Sequence, residues 1–348
     1  MVQVAPTPEE ALAGLPPGRL AVAVPDHTRP VDVPAALRAL AERAQLQVVV
    51  GLGLHRPMSG AELTPLLPWR PTQHDPDDCV PTTTIDGVPG AISRHLLGAD
   101  AIVSLGVAEL HQYAGLSGGH KGVVVGCGGR ATISALHHRD RVLAPGVRLG
   151  RLDGNPFREA VDALGEAAGV AWSLVWAPAA KLWIGGPPRA VLREALTRID
   201  PWEPVPVAAP GAVLRVPPVK ASSFYQASRA ATYLGLSPTP PVVEGGTLLL
   251  EAACPEGLGA ESGFVAALRR EPPPWSGLLS GPAPTGPGAQ RAVMIALLAR
   301  RYRLVIAGCQ EPDALRAVGL EAHAGPAELP PGWLDVRRPF EKLPQLLA

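Results

Sequence analysis

Three short apolar runs in the first third of the chain each end on a charged turn, and that repetition leaves few folds open. Arg19–Pro25 (RLAVAVP) breaks into Asp26-His27-Thr28-Arg29-Pro30. Leu46–Val50 runs into Gly51-Leu52-Gly53-Leu54-His55-Arg56-Pro57, and Ala101–Leu105 (AIVSL) leads towards His111. Runs of this length read as buried strands. Val33–Ala44, with Leu37, Leu40 and Ala44 at helical spacing, lies between the first two. Strand, helix and strand in alternation predict βαβ units, hence an α/β fold with a mostly parallel sheet. In such sheets, ligand groups gather where strands end at their carboxyl termini. Asp26, His55 and His111 are therefore the first candidates for a site.

The pattern continues with gaps. Val88–Leu97 is expected to be helical, as are about Phe157–Gly169 and Pro188–Arg198, with a strand near Ala171–Trp176. Pro201–Pro210 (PWEPVPVAAP) reads as a semi-rigid connection, after which a second α/β pattern begins. Its strands are expected at Ala212–Val216, Thr247–Ala252 and Arg303–Ala307, and its helices at Ser223–Leu234, Phe264–Arg270 and Gln290–Arg301. Pro272–Gly288 holds six prolines and is expected to be a flexible lid or lobe edge, and Pro339–Leu347 a final helix. With 348 residues, two domains are expected. They are 1–203, holding a cofactor, and 211–332, contributing substrate contacts. The tail at about 333–348 is expected to pack back on the first, with the active site in the cleft between them.

Composition narrows the class. Lys+Arg and Asp+Glu both number 31, so charge balance gives no reason to expect nucleic acid or an anionic membrane as partner. The N-terminus has no signal-peptide pattern and no run reaches about 18 apolar residues, so a cytoplasmic enzyme is expected. The four cysteines are far apart, against a disulfide frame or structural zinc.

The richest stretch is His111–His138, HQYAGLSGGHKGVVVGCGGRATISALHH, which sets seven glycines among a lysine and four histidines. A histidine exchanges protons near neutral pH, and its neutral ring is a good ligand for nickel, copper or zinc. Lys121 follows Ser117-Gly118-Gly119-His120, where glycines suggest close approach of a ligand. A lysine there can neutralise phosphate, act as nucleophile or serve as a point of covalent attachment. Neither the full phosphate-loop nor the full dinucleotide-binding glycine pattern is present. Thr28 and Arg29 suit a phosphate or carboxylate. Gln226 and Arg229, three apart on the expected Ser223–Leu234 helix, share one face and could meet an anionic substrate. The residues alone reach an enzyme with histidine acid/base groups, an anionic ligand and, as an option, a metal.

Taken together, DHTRP (26–30), GLGLHRP (51–57), HQYAGLSGGHK (111–121), His137 sixteen residues beyond Lys121, and FYQASR (224–229) resemble the nickel-pincer nucleotide-dependent lactate racemase family. The resemblance runs from about Asp26 to Cys254. It implies two α/β domains and an isomerase that racemises or epimerises a 2-hydroxy acid. Lys121 would carry the cofactor covalently, a nickel-bearing pyridinium mononucleotide with two thio-acyl arms, and His137 would be the protein ligand to nickel. His55 and His111 would be the two catalytic proton-transfer bases. Asp26, Thr28 and Arg29 would orient the cofactor phosphate, and Gln226 with Arg229 would bind substrate. Cofactor-synthesis enzymes are the implied partners for loading. The chemistry implied is removal of the α-hydrogen as hydride while a histidine takes the hydroxyl proton, then return of hydride to the other face.

Several positions depart from the family pattern. Arg229 stands where lysine is common, replacing a point charge by a fork. Ala289 falls where the lactate enzyme carries a tryptophan, which puts lactate itself in question. His120 replaces a small residue, and Val125-Gly126 stands where a proline-glycine pair is usual. The same cofactor could instead serve a net redox or elimination reaction, or a relative that only carries the nucleotide.

Overall fold

The computed structural model describes residues 1–347. The chain forms two compact units, one of Met1–His137 with Ala144–Asp200, the other of His138–Leu143 with the chain from Pro201 onward.

The first unit is built on a seven-stranded sheet ordered Gln3–Ala5, Leu182–Gly186, Val170–Ala177, Ala101–Val107, Arg19–Pro25, Gln45–Gly51 and Thr72–Gln73. The four adjoining strand pairs from Val170–Ala177 to Thr72–Gln73 are parallel. Alternation along Arg19–Pro25 sets up its two faces. Leu20, Val22 and Val24 pack with Leu37 and Leu40 of the Val33–Ala41 helix. Ala21 and Ala23 point the other way and pack with Ile92, Val123 and Cys127. Two alanines in a row on that face leave room for the Lys121–Val124 helix to lie close over the sheet. Arg19–Pro25 sits between Gln45–Gly51 and Ala101–Val107. The chain leaves it to one side and then crosses to the other, the arrangement that opens a crevice at the carboxyl ends of such strands.

The second unit holds a five-stranded parallel sheet ordered Glu321–Ala322, Arg303–Ala307, Val242–Glu251, Ala209–Arg215 and Leu334–Val336. The helices Phe224–Gly235, Ser262–Arg269 and Ala289–Ala299 belong to it.

Several sequence expectations need correcting. Val88–Leu97 is not a helix: Cys79–Ile85 and Val88–Ser93 form an antiparallel hairpin, followed by a single 3-10 turn. Its two-residue loop, Asp86-Gly87, has φ of 50° and 73°. That left-handed turn is what an Asp-Gly pair favours, and Pro89 and Gly90 disfavour a helix beyond it. The tail pairs inside the second unit instead of returning to the first. Leu334–Val336 joins the five-stranded sheet, and Leu343–Leu346 is a strand parallel to Trp202–Val205. Pro339–Leu347 is thus not a helix, as Pro344 would break one. Pro201–Pro210 contributes that paired strand and is no free linker. Pro272–Gly288 contains the short helix Gly277–Ser280 and is tied down by Trp275, whose buried indole donates to the Leu268 carbonyl at 3.0 Å.

Candidate active site

Asp26 begins where the Arg19–Pro25 strand stops, and its carboxylate organises the turn. One oxygen accepts the Thr28 backbone N–H at 3.1 Å and the Thr28 hydroxyl. The other lies 3.0 Å from Nδ1 of His55, which the neighbouring strand Gln45–Gly51 delivers. Burial would raise the Asp26 pKa. Hydrogen bonds from His55 and Thr28, with the Arg29 charge nearby, outweigh it and hold the group well below the usual carboxylate range. An ionised carboxylate only accepts, so His55 donates from Nδ1, and in the neutral form of the ring Nε2 is the acceptor. Arg29 is half-buried, and its guanidinium makes no side-chain hydrogen bond among the described residues.

Asp26→Asn should therefore lower stability at pH 7 by about 1–3 kcal/mol, since a buried partner is left poorly satisfied. The carboxylate's folded pKa is depressed. Its stabilisation is thus present above about pH 4, the unfolded value, and is lost as pH falls from there towards the folded value. Thermal denaturation across pH 7 to 3 should show a shallower acid limb for the variant. Parallel limbs would contradict the pairing.

His111 has the opposite hydrogen-bond state. Its Nδ1 accepts the backbone N–H groups of Tyr113 at 3.3 Å and Ala114 at 3.1 Å. Nδ1 is therefore bare and the ring proton sits on Nε2. Burial, then the charges of Lys121 and His137, push its pKa well below the ordinary histidine value, so the ring is neutral. His137 caps the Arg130–Leu136 helix, and its Nδ1 donates to the Ile133 carbonyl at 2.8 Å. A carbonyl bond at Nδ1 is the usual way a protein orients an imidazole that binds metal through Nε2.

Two residues that sequence reasoning passed over bring these histidines together. The His137 ring meets Phe157 edge-on at 5.4 Å and Tyr113 at 5.9 Å. His111 lies 5.7 Å from the Tyr113 ring and 6.4 Å from Phe157. Tyr113 sits inside the motif and Phe157 opens the helix Pro156–Ala167, so only the fold could show that they share a cluster.

Lys121 begins the short helix Lys121–Val124. The glycines before it turn out to serve the chain itself. Gly118 and Gly119 have φ of 88° and 62°, and a Cβ on them would come within 2.9 Å of Val175 and 2.8 Å of Leu192. They are required by the turn and by packing, so the approach they permit is that of a strand and a helix. Gly126 does the same for the His55 turn: the Gly53 N–H donates to its carbonyl at 2.8 Å. His120 is buried and bonds Asp162 at 2.9 Å, while His138 caps the Arg139–Val142 helix. Both have structural partners.

In the second unit, the Phe224–Gly235 helix is buried at every position except Gln226 and Arg229, which are half-buried. A merely solvated face would expose a longer polar stripe. The Arg229 guanidinium lies 5.8 Å from the Tyr225 ring centre. Ala289 is buried at the start of the Ala289–Ala299 helix. Among the described residues no group of three or more His, Cys, Asp or Glu gathers to hold a metal ion.

Comparison with known proteins gives the following likenesses. Residues 6–150 match the family model described as the lactate racemase N-terminal domain. Lactate racemase of Lactiplantibacillus plantarum is 30% identical over 151 residues, 38% of this chain and 36% of that protein. Lactate racemase of Thermoanaerobacterium thermosaccharolyticum is 26% identical over 166 residues, 43% of this chain and 39% of that protein. The matched stretch thus spans little more than a third of these curated relatives. In fold, the lactate racemase apoprotein from T. thermosaccharolyticum superposes with a TM-score of 0.82 at 18% identity, over 97% of this chain and 88% of that one. A Thermotoga maritima protein gives 0.71 at 17%, over 98% and 96%. The likeness to the lactate racemase N-terminal domain is thus confined to residues 6–150, and over the whole chain the likeness is one of fold.

Proposed function

We propose that this protein is a racemase or epimerase of a 2-hydroxy acid that works with a nickel-pincer nucleotide bound covalently to Lys121. The reading is carried by two histidines that each commit Nδ1 to the fold and keep only Nε2 for chemistry: His55, whose neutral ring has an acceptor there, and His111, with an Nε2–H. A racemase must take a hydroxyl proton from one enantiomer and give a proton to the oxygen of the other. The His55 ring can take and return that proton, and the His111 Nε2–H can donate a hydrogen bond to the oxygen that carries it.

The residues present fit the cofactor. The Ile133 carbonyl holds the His137 ring through Nδ1, so its neutral form could ligate through Nε2. A single histidine suits a metal whose other donors come from the cofactor. Thr28 and Arg29 would hold its phosphate, with Asp26 fixing their turn. When bound, the group supplies a reversible hydride acceptor, which the low acidity of a 2-hydroxy acid's α-proton calls for. His55 takes the hydroxyl proton at Nε2 as the substrate flattens to a 2-keto acid. His55, then an imidazolium, gives that proton back to the carbonyl oxygen as the keto acid is reduced from either face, while His111 donates a hydrogen bond from Nε2 to the same oxygen. Gln226 and Arg229 would hold the substrate carboxylate, the arginine through its fork.

The test is turnover of a panel of α-deuterated 2-hydroxy acids by protein co-expressed with the cofactor-making enzymes. Label returned largely to carbon in both enantiomers is the expected result. Label lost into an oxidised or dehydrated product would replace racemisation by a net redox or elimination reaction. Nucleotide bound with no acid turned over would make the chain a carrier.

A further inference from the structure

We propose that Arg291 is the anion-binding group of a second substrate subsite, so that the acid taken by this chain is a 2-hydroxy dicarboxylate. The inference rests on the reading of Gln226 and Arg229 as anchors for the first carboxylate. Its starting point is a charge that no carboxylate balances among the described residues. Arg291, on the Ala289–Ala299 helix, is only 5% exposed. One terminal nitrogen donates to the Thr232 hydroxyl at 3.0 Å, while Nε is buried without an acceptor. No ion pair joins it to a carboxylate among the described residues.

The other deeply buried arginine shows how this chain treats a structural guanidinium. Arg158, 1% exposed, donates to the carbonyls of Ala114 and Leu116 and to Asp162. Every arm has an oxygen, and one oxygen is charged. Arg291 has a single neutral oxygen. A buried cation left so poorly matched is costly to the fold and is the state expected of a group that meets its counter-ion in a ligand.

Its position says which ligand. Thr232 donates its hydroxyl proton to the Arg229 carbonyl at 3.1 Å, so the lone pairs of that oxygen face Arg291. Arg291 is therefore wired to the helical turn that carries Arg229. Gly288, with φ of 77°, brings the start of the Ala289–Ala299 helix so close to Tyr225 that a Cβ would lie 2.8 Å from the ring. Arg229 lies 5.8 Å from that same ring. At the first position of the helix stands Ala289, small and buried. A small buried residue, two positions before a guanidinium that lacks a carboxylate partner among the described residues, suits an acid whose chain ends in a second carboxylate.

Succinate and butyrate, four-carbon acids that differ by one charge and cannot react, test the subsite on the protein without cofactor. Calorimetric titration at fixed ionic strength should show succinate binding at least about tenfold tighter than butyrate. Arg291→Met should remove that advantage, leave butyrate within about twofold, and keep or raise the unliganded Tm, because an apolar side chain of similar length replaces an unmatched charge. Arg291→Lys should recover part of the preference. Equal binding of the two acids by the native protein overturns the proposal even if Arg291→Met does not fold. So does a variant that loses Tm while keeping the preference. Turnover by the loaded protein separates the two readings. Racemisation of monocarboxylic acids with no preference for 2-hydroxysuccinate removes the subsite and leaves the racemase. Succinate bound through Arg291 with no acid ever racemised leaves the subsite and removes the racemase.

Discussion

His111→Ala is expected to reduce racemisation by about 10²–10⁴-fold while leaving one nickel per chain, and His55→Ala to do the same. The reason lies in which atoms each ring commits to the fold. His55 spends Nδ1 on Asp26 and His111 spends Nδ1 on two backbone N–H groups, so each has only Nε2 for chemistry. Neither nitrogen is needed to hold metal if His137, fixed by Ile133, is the ligand. Pre-steady-state turnover from each pure enantiomer, with metal analysis of the same samples, decides. Nickel lost from His111→Ala or His55→Ala, and kept in His137→Ala, would mean that base and ligand have been exchanged.

Lys121→Ala should abolish the covalent adduct altogether. Intact-mass measurement of protein co-expressed with the cofactor-making enzymes should show native chain heavier by the nucleotide and the variant at its bare mass. Lys121→Arg should also lack the adduct, because charge is kept but the amine nucleophile is gone. Lys121 lies at the first position of its helix and is half-buried, so either change should leave the fold intact. An adduct persisting on Lys121→Ala, or native protein that stays unmodified, would end the proposed attachment. Gly118→Ala offers a contrasting case: it should lose adduct through misfolding of the turn, with a lowered Tm, since both its φ and its contact with Val175 exclude a side chain.

How far the sequence could be read follows from what each residue depends on. The parallel core strands were legible because each run is apolar by itself and stops at a charged turn. The hairpin at Cys79–Ser93 forms against the helical expectation for Val88–Leu97 because its Asp-Gly pair is the stronger local signal. Edge strands such as Gln3–Ala5 and Leu343–Leu346 are too short to show periodicity, and they exist only because a partner strand is there. In the site, the motif residues were visible as a set, but their states were not. That Nδ1 of His55 faces a carboxylate and Nδ1 of His111 faces amides depends on strands far apart in sequence. The same is true of the Tyr113 and Phe157 rings and of Arg291, an unremarkable letter in an apolar helix until its surroundings are known.

The Phe224–Gly235 helix divides its residues with unusual sharpness: ten are buried and two are not. Buried positions resist change because altered volume costs about 1–5 kcal/mol, while half-exposed ones away from the core usually cost less than about 0.5. Gln226 and Arg229 are therefore the positions at which this helix can drift without unravelling the fold. Substrate range in descendants of this scaffold can be retuned there one substitution at a time, with the supporting helix inherited unchanged.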